Sequence, residues 1–282
     1  SLGEDRFMLT LGGRFQDIAV NSYVTRPVAN QGSLASSYDQ GRFSPAIALV
    51  IRPFENLSFY GNYIESLDAG PSAPVTAVNA NEIFAPTVSR QKEVGAKYDF
   101  GTVSVTASLF EIEQPSAFTD PGTRRFSVSG LQRNRGAEFT VFGEPVAGIR
   151  LLGGIAFIDA ELVRTLGGQF DGNAAPGVPD MAINLYGEYD LPPWLALGLT
   201  LTGRAIHTSR QFYNQANTQS VPDWTRFDAG LRYAFEGVSG KPVVLRATVE
   251  NLFDDSYWAS AARGFLAVGA PRTVIVSASV EF

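Results

Sequence analysis

The residues able to do chemistry are few: one histidine, His207, no cysteine, and short acidic clusters at Asp171 and at Asp254-Asp255. A catalytic or metal-binding histidine needs a second ligand, a nucleophile to activate or a carboxylate to orient it. With no Cys and no second His in the chain, His207 reads as a rim residue at the end of a strand. Asp171-Gly172-Asn173 and Asp254-Asp255 lack the spacing of a complete calcium loop and read as turns. Gly153-Gly154 and Gly167-Gly168 lack the strand-to-helix context of a phosphate loop. The absence of Cys excludes thiol catalysis, disulfides and thiolate metal sites, and it suits an oxidising compartment. These residues point to no enzyme, no metal site and no resident cofactor.

The elements that position them are strands. Residues 194–204 place Leu195, Leu197, Leu199 and Leu201 on one face and Gly198, Thr200, Thr202 and Arg204 on the other. Residues 225–236 repeat the pattern, with Phe227, Ala229, Leu231, Tyr233 and Phe235 opposed to Arg226, Asp228, Gly230, Arg232 and Glu236. Similar alternation runs through residues 93–100, 103–109, 134–141 and 243–250, and through the last stretch, 271–282, which ends on Phe282. About twelve such strands are expected, and no helix.

The strands have a rhythm. Compact turn signals at 52–56, 99–101, 143–145, 190–193 and 236–240 recur about every 46 residues, and longer polar connections lie between them at 25–41, 66–89, 114–123, 164–177, 208–219 and 255–270. The period also fits a soluble β-propeller, and the final strand alone fits a soluble sandwich equally well. A blade, however, needs four short strands, whereas each period here offers two long strands, one tight turn and one long loop. That asymmetry, with strands near the ~9–11 residues that cross a bilayer when tilted, is the pattern of a transmembrane barrel. Tyr98, Phe100, Phe142, Tyr189, Trp194, Tyr233 and Phe235 sit beside the short turns, where an aromatic girdle is expected. On the opposite face Glu93, Lys97, Glu138, Arg226, Asp228, Arg232, Arg246 and Glu250 are expected to solvate a lumen or grip a plug.

The composition is lean in charge and rich in Gly and aromatics for a soluble domain. The 282 residues carry a net charge of −6 and only 18% charged side chains, with 28 Gly, 20 Phe, 10 Tyr and 3 Trp. The acidic balance argues against a nucleic-acid partner. No window approaches the ~18 apolar residues of a membrane-spanning helix, and the first residues lack the basic and apolar regions of a signal peptide. The chain is therefore either soluble or a strand-spanning protein whose start is missing.

Several segments carry a resemblance. RQKEVGAKYDF (residues 90–100), RNRGAEFTVFG (133–143), VPDMAINLYGEYDLP (178–192), TRFDAGLRYAF (225–235), VENLFDDSYW (249–258) and the ending from Arg272 to Phe282 resemble the C-terminal half of TonB-dependent receptors, most closely their ferric-siderophore group. The stretch Asn251-Leu252-Phe253-Asp254 followed by a strand ending on Phe is the most specific part. The resemblance implies one domain over residues 1–282: about the C-terminal twelve strands of a 22-stranded, antiparallel, up-and-down outer-membrane barrel, without its plug. It implies import of a ferric siderophore energised through TonB, with iron entering only as part of the cargo. Further implied partners are outer-membrane lipids and the barrel-assembly machinery, for which Phe282 is the expected signal. Ligand contact is then expected from the loop residues Phe118, Arg210, Phe212, Tyr213, Trp224, Tyr257, Trp258, Arg263 and Phe265. The alternatives are a TonB-dependent receptor for cobalamin, haem or a glycan, and a soluble ligand-binding propeller. As a fragment the chain is expected neither to close nor to transport.

Overall fold

The computed structural model describes residues 6–25, 28–195, 198–237, 240–262 and 265–280. Leu197, Arg263 and Phe282 fall outside these residues. The alternation becomes one antiparallel sheet of twelve strands: β1 (Phe7–Tyr23), β2 (Leu34–Phe54), β3 (Leu57–Asp68), β4 (Thr87–Asp99), β5 (Val103–Thr119), β6 (Phe126–Val146), β7 (Ile149–Arg164), β8 (Met181–Asp190), β9 (Leu199–Thr208), β12 (Trp224–Glu236), β13 (Pro242–Glu250) and β16 (Thr273–Val280). Spatial order follows chain order throughout, so every connection is a hairpin. Two small hairpins stand apart, β10 (Gln211–Phe212) with β11 (Ser220–Val221) and β14 (Trp258–Ser260) with β15 (Ala267–Val268). The described residues contain two single-turn 3-10 segments and no α-helix.

The register fixes the faces, because residues paired across antiparallel strands point the same way. Tyr98, Val105 and Val141 form one outward row, as do Ala96, Ala107 and Phe139, then Val94, Leu109 and Ala137. The charged positions Glu93, Lys97, Glu138, Arg226, Asp228, Arg232, Arg246 and Glu250 occupy the other face, as their alternation requires. The outward face leaves Leu109 60%, Phe139 50% and Leu231 47% exposed. A soluble fold would bury so continuous an apolar surface, whereas a bilayer solvates it.

The sheet itself encloses no conventional core. Among the described residues the one cluster of buried apolar side chains lies at the long-loop end, where Ala160, Leu162 and Ala175 pack with Ile158, Phe170 and Val178. Side-chain burial there fastens the loop after β7 onto the end of that strand.

Several boundaries differ from the sequence reading. The stretch expected to be a strand from Trp194 starts as one only at Leu199: residues 193–195 form a turn, and Gly198 adopts φ 77° where Ala234 O closes on the space a Cβ would need. Pro192 and Pro193 donate no ladder bond, which delays the strand. Gly143-Glu144-Pro145 is a bulge within β6, and the reversal comes at residues 147–148, where Glu144 Oε1 accepts the Gly148 N–H at 2.6 Å. Gly143 is required there, since its φ is 145° and Thr102 O lies 2.2 Å from an added Cβ. Phe142, expected in the girdle, pairs with Leu152 and Ser104 and faces the lumen. The strands also run past the apolar band: β5 continues to Thr119, which leaves a tip of only residues 120–125. Backbone pairing continues there after the apolar alternation has ended.

Candidate functional site

The inner wall is built from alternate residues of β7 to β13. Arg150 donates to Glu188 at 2.8 Å and to both oxygens of Asp190 at 2.6 and 2.7 Å. Thr200 donates to Asp190 at 2.6 Å, Tyr186 to Glu188 at 2.8 Å, and Arg232 reaches Glu188 at 3.1 Å. A second cluster lies nearer the long loops, where Arg226 donates to Asp228 at 2.9 Å with Glu250 at 3.9 Å. Further along the same face, on β3 and β4, Tyr60 donates to Glu93 at 2.7 Å. A concavity of about 840 Å³ follows this wall past Glu138, Asn184, Tyr186, Arg204, Asp228 and Glu250. Of its charged residues Asp228 and Glu250 are held by Arg226, and Arg204 donates to Asn184 Oδ1 at 2.9 Å, a polar surface suited to water or a packed domain.

Three long loops close over one end of that wall, and polar side chains tie them together. In residues 165–180 the Asp171 carboxylate accepts the Thr165 N–H at 2.7 Å and the Thr165 hydroxyl at 2.8 Å. Asn173 donates to Gln215 O at 2.8 Å, and Asn217 accepts from Ala174 N and donates to Ala174 O at 2.8 and 2.9 Å. The loop over residues 209–223 is thereby fixed to its neighbour, and Gly177 N donates to Phe212 O at 2.8 Å. The buried Gln211 side chain accepts from Ala261 N at 3.3 Å, joining the third loop, residues 251–272. Asn251, 1% exposed, folds that loop: its amide nitrogen donates to Asp255 O and Ala270 O, and its oxygen accepts from Asp255 N. Asn251 and Asp254 take φ of 53° and 60°, the left-handed region that Asn and Asp tolerate. The Asp254-Asp255 turn is therefore a structural knot.

The expected ligand residues distribute unevenly over this framework. Trp224, the first residue of β12, stacks on Tyr257 with ring centroids 4.3 Å apart and 29° between planes. Trp258 begins β14 beside them, and a cavity of about 530 Å³ lies against Trp224, Tyr257, Trp258, Asp223, Asp255 and Val268. The Arg210 guanidinium stands 4.8 Å over the Phe212 ring, and Tyr213 closes the β10–β11 hairpin through Gln219 O. Phe265 is 77% exposed. Phe118 is not in a loop; it sits on β5 opposite Ser127, below a tip where Thr123 and Gly122 N–H groups hold the Asp120 carboxyl below the ordinary carboxylate range. His207 faces outward at the long-loop end, its Nδ1 2.8 Å from Thr225 Oγ1. Among the described residues no three His, Asp or Glu side chains gather as a metal site.

The sequence reading missed Gln211, Asn217 and Asn251 as hubs, and it missed Arg150, Glu188 and Asp190 on the wall. The last two were legible, since Asn184, Tyr186, Glu188 and Asp190 alternate along β8. The loop hubs carry no signal beyond a local Asn or Gln, because their partners lie up to 50 residues away.

Comparison with known proteins fits this geometry. The family model "TonB dependent receptor-like, beta-barrel" matches residues 1–252. The ferrichrome receptor FcuA of Yersinia enterocolitica is 35% identical over 289 residues, covering 100% of this chain and 37% of the relative. The ferrichrome outer membrane transporter/phage receptor of Escherichia coli K12 is 30% identical, covering 99% of this chain and 36% of its own length. The crystal structure of BauA, the ferric preacinetobactin receptor of Acinetobacter baumannii, superposes with a TM-score of 0.80 at 40% identity, over 100% of this chain and 41% of that one. The chain thus spans about two fifths of the length of these relatives. It belongs to the TonB-dependent receptor-like β-barrel family, and its twelve strands are wall of an outer-membrane barrel.

Proposed function

We propose that the protein to which this wall belongs captures a ferric siderophore at its external mouth and carries it inward with energy delivered through TonB. The observation that carries the reading is the set of three fastened loops, which present Trp224, Tyr257 and Trp258 above a polar lumen. Aromatic faces held by a rigid framework suit a bulky chelate, because little ordering entropy is lost on binding. Relatives described as receptors for ferrichrome and ferric preacinetobactin support the choice of cargo. A nanomolar complex stores ~12 kcal/mol, so release calls for an energised step rather than an open pore. Iron is then cargo and no cofactor is resident; the chain is not an enzyme. Arg210, Phe212, Tyr213, Phe265 and Phe118 stand as further contacts in this reading, with Arg263 beside them in sequence. Recognition of β16 and Phe282 by the barrel-assembly machinery belongs to the same proposal.

The test is uptake of labelled ferric chelates of hydroxamate, catecholate and carboxylate type by iron-starved cells with and without the gene, and with and without TonB. Uptake of one class that requires both is the expected result. Uptake of cobalamin, haem or a glycan with no iron chelate taken up overturns the cargo.

A further inference from the structure

The cavity of about 530 Å³ beside Trp224 combines aromatic faces with carboxylates and is lined by no cation. Its charged lining residues are Asp223 and Asp255, and among the described residues neither carboxylate meets a hydrogen-bond or ion-pair partner. Both are placed by their backbone. Asp223 sits in the short link between β11, which ends at Val221, and β12, which begins at Trp224. Asp255 is gripped by Asn251, whose Oδ1 accepts the Asp255 N–H at 3.0 Å and whose Nδ2 donates to the Asp255 carbonyl at 2.9 Å. The aromatic walls are equally fixed. Tyr257 O accepts the Gly269 N–H at 2.8 Å, and the Tyr257 ring, stacked on Trp224, fills the space that a Cβ on Gly269 would need. Trp258 pairs with Val268 in the β14–β15 hairpin. Neighbouring cations are engaged elsewhere: Arg226 faces Asp228 at 2.9 Å and Glu250 at 3.9 Å, Arg272 faces Asp254 at 3.6 Å, and Arg210 lies over Phe212. Two carboxylates without a counter-charge therefore give the cavity a negative potential.

We propose that this cavity is a cage for an organic ammonium group, and that the transported chelate presents one. The second half rests on the siderophore function proposed for the parent protein and narrows it. A positive nitrogen gains from the π faces of Trp224, Tyr257 and Trp258 and from the carboxylates together, whereas a neutral group gains from the rings alone and an anion is repelled. The walls are already in place, so little rotamer entropy is lost on capture. A bare divalent cation is a poorer occupant, because two carboxylates on separate loops supply too few oxygen ligands. The charge of the cavity also sorts the chelates. A ferric hydroxamate core is neutral, so a pendant amine makes the complex cationic; catecholate and carboxylate cores are anionic and are disfavoured here.

Tryptophan fluorescence of the full-length protein in a non-ionic detergent tests the cage, in a Trp194→Phe background that removes the tryptophan remote from the cavity. The probes are choline and its uncharged analogue, in which the quaternary nitrogen is a carbon atom. Choline is expected to bind about tenfold more tightly. Asp223→Asn with Asp255→Asn should abolish that preference, while Glu236→Gln at the far end of β12 should leave it unchanged. Equilibrium retention of two labelled ferric chelates tests the cargo: a linear trihydroxamate ending in a primary amine, and the same molecule with that amine acetylated. The wild type is expected to hold the amine form about tenfold more tightly, and the double Asn variant to hold both as it holds the acetylated form. Equal binding of choline and its analogue by the wild type, or an undiminished preference in the double variant, overturns the cage. A choline preference with equal retention of the two chelates overturns the ammonium group on the cargo. If neither chelate is held while choline is, the siderophore function fails and the cage stands.

Discussion

The Asp228 carboxylate on the lumenal face of β12 accepts the backbone N–H of Asn251 at 2.9 Å, joining the wall to the loop that follows β13. Asn251 then spends its whole side chain on that loop. Its replacement by Ala removes three hydrogen bonds at a buried site and a residue suited to φ 53°. At about 1 kcal/mol per bond the expected loss is ~3 kcal/mol, measured by denaturant unfolding of the full-length barrel refolded into vesicles. A loss below ~1 kcal/mol would mean that water replaces the side chain and that the knot is not structural.

The two faces of β6 offer a matched pair of substitutions. Phe139→Arg puts a charge into lipid near the middle of the apolar band and is expected to cost ~2–4 kcal/mol, whereas Thr140→Arg, on the exposed lumenal side, should cost less than ~1 kcal/mol. Equal costs in vesicle refolding would remove the assignment of faces. Thr200 does not serve as the lumenal member of such a pair. It is 4% exposed and bonded to Asp190 and Arg232, so even a lumenal Thr there is intolerant of size.

Arg150 and Arg232 share Glu188 and Asp190. Each single change to Met should cost about 1 kcal/mol, because the other arginine still compensates one carboxylate in a half-solvated site. The double variant should cost more than the two together, with a coupling of ~0.5–3 kcal/mol. Strict additivity in a double-mutant cycle would show that the two arginines act independently.

At the mouth, Trp224→Ala and Tyr257→Ala are each expected to weaken binding of the transported ferric chelate about tenfold, and together little more than either alone, since the two rings form one stacked unit. Binding is read by tryptophan fluorescence for Tyr257→Ala and by equilibrium retention of labelled chelate for both. Unchanged affinity in both variants would exclude this pair from the site.

The wall was readable in the sequence because an outward face left uncovered by protein shows its period without interruption: Val94 to Tyr98, Val103 to Leu109 and Thr225 to Glu236 alternate cleanly, and each became a strand with the expected faces. The errors fell where another constraint overrode the period. Pro192-Pro193 and Gly198 delayed β9, Gly143 turned an expected reversal into a bulge, and the uncharged but non-alternating residues 114–119 and 126–132 hid the continued pairing to Thr119. The mouth was half legible. Trp224 and Tyr257 could be named as aromatics near the long loops, but their stacking depends on a knot at Asn251 whose partners, Asp228 and Ala270, are distant in the chain. No local pattern encodes such long-range pairs.

Because spatial order equals chain order, each interior strand draws its hydrogen bonds from its predecessor and its successor alone. The sheet is in effect a one-dimensional array, whose register is inherited from one hairpin to the next without reference to distant strands. A fault in one strand therefore propagates to the following hairpin and no further than the next correctly seated turn. Assembly can advance hairpin by hairpin at the cost of short loop closures, which keeps the entropic penalty of each step small. At every stage the first strand and the growing border both carry unpaired backbone groups, so the species most exposed to mispairing is the half-grown sheet rather than the unfolded chain.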